Sequence, residues 1–482
     1  MKSNRQEWMR LTTAILFAAL LVAVVSRSSR AQSTDGQKGP ETQQLKDRVK
    51  QLEQTVEELK EQIKTIENTQ KKTGTAVRET VPAAASDGIA SKPAAEAPPK
   101  PQEEKKGEST LTVYGHVMLD AGYEVHQSDP NWFDVARPTK LPSFTDEFAP
   151  NGKAFFSVRQ TRFGVKSSTP TKYGELKTQF EFELFGTGVD AGQTTFRLRH
   201  AYGELGPFGA GQYWSPFMDI DVFPNSLEYW GPNGMVFFRN LQFRWMPYKG
   251  RNAVTIAIER PGASADQGRF EDRIELQGVK PKFDLPDLSG NVRFTRHWGY
   301  FQAAGMLRRI KWVDTTPNPQ FLLSGQATGV GGSLSSNLKF SKNDVGKFEV
   351  VYGKGIENYM NDAPVDIGIA RTNSTDPRRP IKGVALPMWS IVAFLDHSWN
   401  EKFSSSIGYS VLSIRNSEGQ NANAFHRGHY ALADLLYYPV ENVIIGGEVQ
   451  WVERENFLDG FKPHDLRVQF SFKYNFSKTF KF

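Results

Sequence analysis

The sequence predicts an all-β transmembrane barrel of about 16 antiparallel strands, preceded by a short N-terminal coiled-coil helix and a disordered linker. Three observations carry this expectation. In the last stretch, Asp465 to Phe482, the residues Leu466, Val468, Phe470, Phe472, Tyr474, Phe476, Phe480 and Phe482 alternate with Arg467, Gln469, Ser471, Lys473 and Asn475, and only Lys478 interrupts the apolar row. A period of two means that one face of a strand meets an apolar medium and the other meets water or polar groups. The same alternation recurs upstream: Leu176, Phe180, Phe182 and Leu184 interleave with Lys177, Gln179, Glu181 and Glu183, and Phe196 and Leu198 with Arg197 and Arg199. A soluble two-sheet core of so many long strands should also contain apolar runs covered on both faces, and the chain reads as having none. Finally, the connections alternate between short and long, as they do in a barrel with tight turns at one end and external loops at the other.

Composition bounds the classes. The 482 residues are 39% hydrophobic and 12% aromatic, with no cysteine, which suits passage through an oxidising compartment. After Val25 no apolar run is long enough to cross a bilayer as a helix, so any crossing is made by strands. Met1 to Ala31 carries Lys2, Arg5, Arg10, Arg27 and Arg30 against Glu7, so only +2 of the formal +6 stays with the remainder, and no nucleic-acid partner is expected.

Taken in order, residues 1–31 read as a signal peptide, with three basic residues ahead of the apolar run Leu11 to Val25 and small residues at Ser29 and Ala31. Residues 32–70 form the coiled-coil segment, placed in the periplasm. Leu45, Val49, Leu52, Val56, Leu59, Ile63 and Ile66 alternate steps of four and three on one seam. Val and Ile at the a positions favour two strands and the final Ile pair favours three, so the strand number stays open. Residues 71–109, rich in Ala, Pro, Glu and Lys, are a disordered linker with too few large apolar groups to offset chain entropy. Residues 110–482 are the barrel. Seventeen strand candidates appear, and a single-chain barrel with both ends on one side needs an even number. Forward and backward counts of short and long connections agree only if Pro261 to Pro286 is one external loop, which removes the candidate at Arg273 to Phe283. The loop 215–235 follows the shortest strand, Phe208 to Trp214, and is read as folding inward, with Asp219, Asp221, Phe223, Asn225, Glu228 and Tyr229 at the constriction.

The runs RLRHAYGELGPFGAGQYWSPFMD (Arg197 to Asp219), RQTRFGVKSSTPT (Arg159 to Thr171) and HWGYFQAAGMLRR (His297 to Arg309) resemble the DcaP-like family of outer-membrane porins. The order of signal, coiled coil, Ala/Pro spacer and barrel is similar too. The resemblance implies a trimeric, sixteen-stranded porin of the outer membrane of a Gram-negative-type bacterium that admits small anions, dicarboxylates in particular. Its partners are then outer-membrane lipid, two further copies of itself, small anionic solutes and, during biogenesis, the barrel-assembly machinery. On the face opposite the apolar row lie Arg197, Arg199, Arg293, Lys339, Arg467 and Lys473, joined by Arg162, Arg244 and Arg309, as pore-lining, anion-binding residues. The competing reading pairs these cations with Glu181, Glu183 and the acids from Asp219 to Glu228, leaving a nearly neutral pore.

Enzyme readings are weaker. No Gly-x-Ser-x-Gly, P-loop or His-Glu-x-x-His motif is present, His426 and His429 point to opposite faces of one strand, and no cofactor or metal is expected. A cell-wall tether with a barrel anchor is the second reading, and a membrane-barrel hydrolase the third.

Overall fold

The computed structural model describes residues 108–317 and 319–482. The signal, the heptad segment and the linker up to residue 107 lie outside the described residues. The chain runs through β1 (Thr110–Glu124), β2 (Lys153–Ser157), β3 (Arg162–Thr171), β4 (Gly174–Phe185), β5 (Thr194–Leu205), β6 (Phe208–Trp214), β7 (Arg239–Tyr248), β8 (Asn252–Glu259), β9 (Val279–Pro281), β10 (Asp287–Arg296), β11 (Gly299–Asp314), β12 (Gly325–Lys339), β13 (Asp344–Lys354), β14 (Ile367–Arg371), β15 (Ile381–Ala385), β16 (Pro387–Ser398), β17 (Phe403–Ile414), β18 (Phe425–Tyr437), β19 (Val443–Asn456) and β20 (His464–Lys481).

Every wall strand is antiparallel to its neighbours. The last strand β20 pairs with β1 from Thr110 opposite Lys481 to Glu124 opposite Arg467, which closes the sheet into a barrel and leaves no edge. The wall has sixteen strands. Both β2 and β3 pair with β1 and form one strand interrupted at 158–161, β14 and β15 make a hairpin of their own, and β9 is a three-residue piece beside the end of β11. The discarded seventeenth candidate is that short piece together with the 3-10 turn Ile274–Gly278, inside one long loop.

The alternation that defines the strands is inside out relative to a soluble protein. Leu119, Phe180, Phe243, Ile258, Val350 and Phe470 point outward and are exposed, whereas Asp120, Glu181, Glu183, Glu349, Gln450 and Gln469 point inward and are buried. Lipid on the outside and a polar lumen within account for both rows at once. Both termini of the barrel lie at the end with short turns, where Ser109 N–H donates to the Phe482 carbonyl at 3.0 Å. The opposite end carries the long loops L1 (125–152), L2 (186–193), L3 (215–238), L4 (260–286), L5 (315–324), L6 (355–386), L7 (415–424) and L8 (457–463).

The inner wall departs from the sequence reading on one side. Met388, Val392 and Phe394 of β16, Leu412 and Ile414 of β17, and Leu432 of β18 face inward and pack with Met235 and Val236 of L3 and Ile356, Tyr359 and Met360 of L6. The strand β16 is therefore apolar on both faces, since Trp389, Ile391 and Leu395 point to lipid. Loops that return into the lumen cover this half of the wall, and burial behind them makes an apolar inner face stable.

Candidate functional site

Loop L3 enters the lumen because the wall offers acceptors for its backbone. Glu448 accepts from the N–H groups of Leu227 (2.7 Å) and Glu228 (3.2 Å), Glu349 from Val236 (3.1 Å) and Asp396 from Asn225 (3.3 Å), while Ser410 Oγ accepts from Gly234 (2.9 Å). A buried carboxylate and a buried N–H are each costly alone, and here each satisfies the other. The loop acids are likewise engaged. Asp219 accepts from Tyr300 Oη (2.8 Å), Ser335 Oγ (2.6 Å) and Arg293 Nη2 (2.5 Å), and Asp221 from Arg293 Nη1 (2.5 Å). Glu228 accepts from the N–H of Ala136 (3.1 Å) and of Gly231, Asn225 donates to Ser404 and Tyr438 (both 3.2 Å), and the Phe223 carbonyl accepts from Lys347.

A latch ties three loops together. The Arg137 guanidinium of L1 lies over the rings of both Trp132 (4.1 Å) and Trp230 of L3 (4.0 Å) and pairs with Asp362 of L6 at 2.8 Å. Cation–π contact and a buried ion pair thus act on one side chain.

Facing L3 is an arginine cluster. Arg199 of β5 pairs with Glu181 (2.5 Å) and Glu183 (2.6 Å) of β4, Arg197 with Glu183 (3.1 Å), Arg162 of β3 with the same two carboxylates (3.7 and 3.9 Å), and Arg239 of β7 with Glu183 (3.6 Å). Four guanidiniums share two carboxylates, a surplus of two positive charges. A bulge concentrates them: the β4–β5 register shifts between Glu181 and Phe182, so that Arg199 and His200, consecutive in sequence, are both buried. Tyr229 of L3 caps the cluster, its ring stacked on Phe185 at 4.2 Å and its hydroxyl donating to Glu183 and accepting from Arg199 at 3.3 Å.

The predicted cationic residues do not all stay together. Arg162, Arg197 and Arg199 come together in the cluster. Arg244 faces the lumen over the rings of Tyr202 (5.4 Å) and Tyr213 (5.0 Å), with Gln242 and the Trp214 carbonyl as neutral partners. Arg293 is neutralised by Asp219 and Asp221, and Lys339 sits exposed where β12 reaches the short-turn end. Two expectations are corrected. Arg309 points away from the lumen, since Tyr300, Gln302, Met306 and Arg308 occupy the inner face of β11; it reaches Asp284 (3.8 Å) and Gln326 instead. Arg467 does point inward but is only 1% exposed, because the Phe155 ring of β2 covers its guanidinium at 4.2 Å. The reading missed Arg239, whose position in the strand alternation is that of the outward Leu241 and Phe243. It also missed Arg308, which pairs with Asp287 (3.2 Å) and Asp366 (3.0 Å).

A family model described as DcaP outer membrane protein matches residues 99–476. Among solved structures, the outer membrane channel DcaP of Acinetobacter baumannii aligns with a TM-score of 0.63 at 20% identity, over 77% of this chain and 99% of that one. An anion-selective porin from Comamonas acidovorans aligns at 10% identity with a TM-score of 0.47, over 77% of this chain and all (100%) of that one. The trimer form of OmpT of Vibrio cholerae aligns at 12% with a TM-score of 0.46, over 76% and 99%. The likeness to the Acinetobacter channel is one of fold. A comparison with curated proteins gives no match.

Proposed function

From a chain that belongs to the DcaP outer membrane protein family, and is therefore an outer-membrane porin and not an enzyme, we propose a pore that passes small anions and prefers dicarboxylates. The observation supporting this reading is the two-charge surplus of the cluster on β3, β5 and β7. Arg162 and Arg197 are its members that keep surface, at 18% and 21% side-chain exposure, and both converge on Glu183. A guanidinium fork meets a carboxylate through two parallel hydrogen bonds, so two forks a few ångströms apart suit a solute with two carboxylates. Asp219 and Asp221 share the single charge of Arg293, and Glu228 accepts from backbone N–H groups, so the loop acids are engaged elsewhere while their remaining charge offsets part of the surplus.

In a planar bilayer, a four-carbon dicarboxylate should reduce the chloride current at a concentration about tenfold below that needed for a monocarboxylate of similar size. Equal concentrations would contradict the dicarboxylate preference.

The functional unit proposed is a homotrimer. Its support is the heptad seam from Leu45 to Ile66 together with Ala303 and Gly305, small outward residues of β11 that permit close approach of a second wall. Unheated gel mobility should correspond to three chains, and removal of residues 32–108 should lower the dissociation temperature while each barrel stays folded. A full-length protein that migrates only as a monomer would overturn this.

A further inference from the structure

The outer face of the barrel carries a convergent set of metal-ligand atoms where β18 and β19 approach the long loops. His429 of β18, Glu453 and Glu455 of β19 each offer one ligand atom, and these three atoms all lie within 4.8 Å of one another. No single strand shows this in sequence. The register brings it about: His429 stands directly opposite Glu453, and Glu453 stands directly opposite His464 of β20 on its other side. All four residues share the outward alternation of Val449, Trp451 and Leu466, so they lie outside the lumen and apart from the arginine cluster.

Two further features favour an ion. The Tyr409 hydroxyl of β17 bonds His429 Nδ1, which turns Nε2 toward Glu455 at 3.4 Å. A hydrogen bond to the remote ring nitrogen is what orients a ligating histidine. Glu453 has no basic side chain at ion-pair distance among the described residues, so one carboxylate of the set is uncommitted beside an imidazole. The competing cations act on Glu455 alone: Lys462 at 3.2 Å, itself 54% exposed, and Arg427 at 3.7 Å. An exposed lysine pair is weak and readily exchanged.

We infer that His429, Glu453 and Glu455 form a surface site for one divalent transition cation of the zinc class, with Tyr409 as the positioning residue. An imidazole with two carboxylates suits zinc better than magnesium or calcium, which take oxygen ligands throughout. Three protein ligands leave a coordination position facing outward, open to water or to an anionic group of the surrounding surface.

Titrating Zn²⁺ into the detergent-solubilised full-length protein tests the site. The expected result is one zinc per chain above the uptake of the His429→Asn/Glu453→Gln double variant, with no matching Mg²⁺ uptake. Tyr409→Phe should weaken binding by about tenfold or more. Lys462→Ala should tighten it by freeing Glu455, and His426→Asn should change nothing. Gel heat-modifiability confirms that each variant barrel is folded, and Co²⁺ in place of zinc gives a d–d absorption spectrum that the double variant lacks. If the wild type takes up no more zinc than the double variant, or Lys462→Ala leaves the zinc affinity unmoved, the cluster is an ion-pair network and the inference fails.

Discussion

Arg162→Glu combined with Arg197→Glu should slow entry of a four-carbon dicarboxylate into proteoliposomes by at least about tenfold, while a neutral sugar of similar size enters at the wild-type rate. The substitution turns a cluster of four guanidiniums and two carboxylates into two guanidiniums and four carboxylates, so its net charge changes sign. These two arginines are the informative choice because they keep side-chain surface, 18% and 21%, whereas Arg199 keeps 3%. A swelling ratio of dicarboxylate to sugar that stays at the wild-type value would show that the cluster does not lie on the solute path.

Arg199→Met should destabilise the folded barrel by about 1.5–3 kcal/mol, because it removes the shortest charge-assisted hydrogen bonds of two buried carboxylates while three more distant guanidiniums still oppose their charge. Glu181 and Glu183 have no exposed side-chain surface, and Arg199 is their closest cation, at 2.5 and 2.6 Å. Arg162, Arg197 and Arg239 stand farther from these carboxylates and cannot replace that contact without moving. Urea unfolding in lipid vesicles measures the loss, and adding Glu181→Gln should recover part of it, since the buried carboxylate that lost its closest cation is then uncharged. A midpoint unchanged in Arg199→Met would mean that the remaining arginines already neutralise the pair.

What could be read from the chain and what could not divide along physical lines. Lipid imposes one rule on every wall strand, so the alternation of β20, from Leu466 to Phe480, and the contrast of tight turns with long loops sufficed for strand number and closure. Inside the barrel no single medium sets the pattern. Met388, Val392 and Phe394 face inward because L3 and L6 return to cover them; the run from Met388 to Leu395 is apolar on both faces, but which loops cover it is a tertiary event. Local irregularity hid other members of the site: the bulge buries both Arg199 and His200, and alternation alone assigns Arg239 to the lipid side although it reaches Glu183. The inward course of L3 was legible from its length and its place after the seven-residue β6. Its anchoring by Glu349, Asp396 and Glu448 was not, since these acids sit on strands more than a hundred residues away. The same holds for the loop acids, where pairing of Asp219 and Asp221 with Arg293 decides whether they oppose the arginine cluster or leave it its surplus.

The central claim is that this surplus makes the pore prefer anions, and the zero-current potential of the wild-type channel across a tenfold potassium chloride gradient tests it most directly. The account predicts a potential whose sign reports chloride crossing more readily than potassium, shrinking as ionic strength rises and the Debye length falls below about 8 Å. A potential of the opposite sign, or none, would contradict it and leave the arginines of β3, β5 and β7 as structural partners of Glu181 and Glu183.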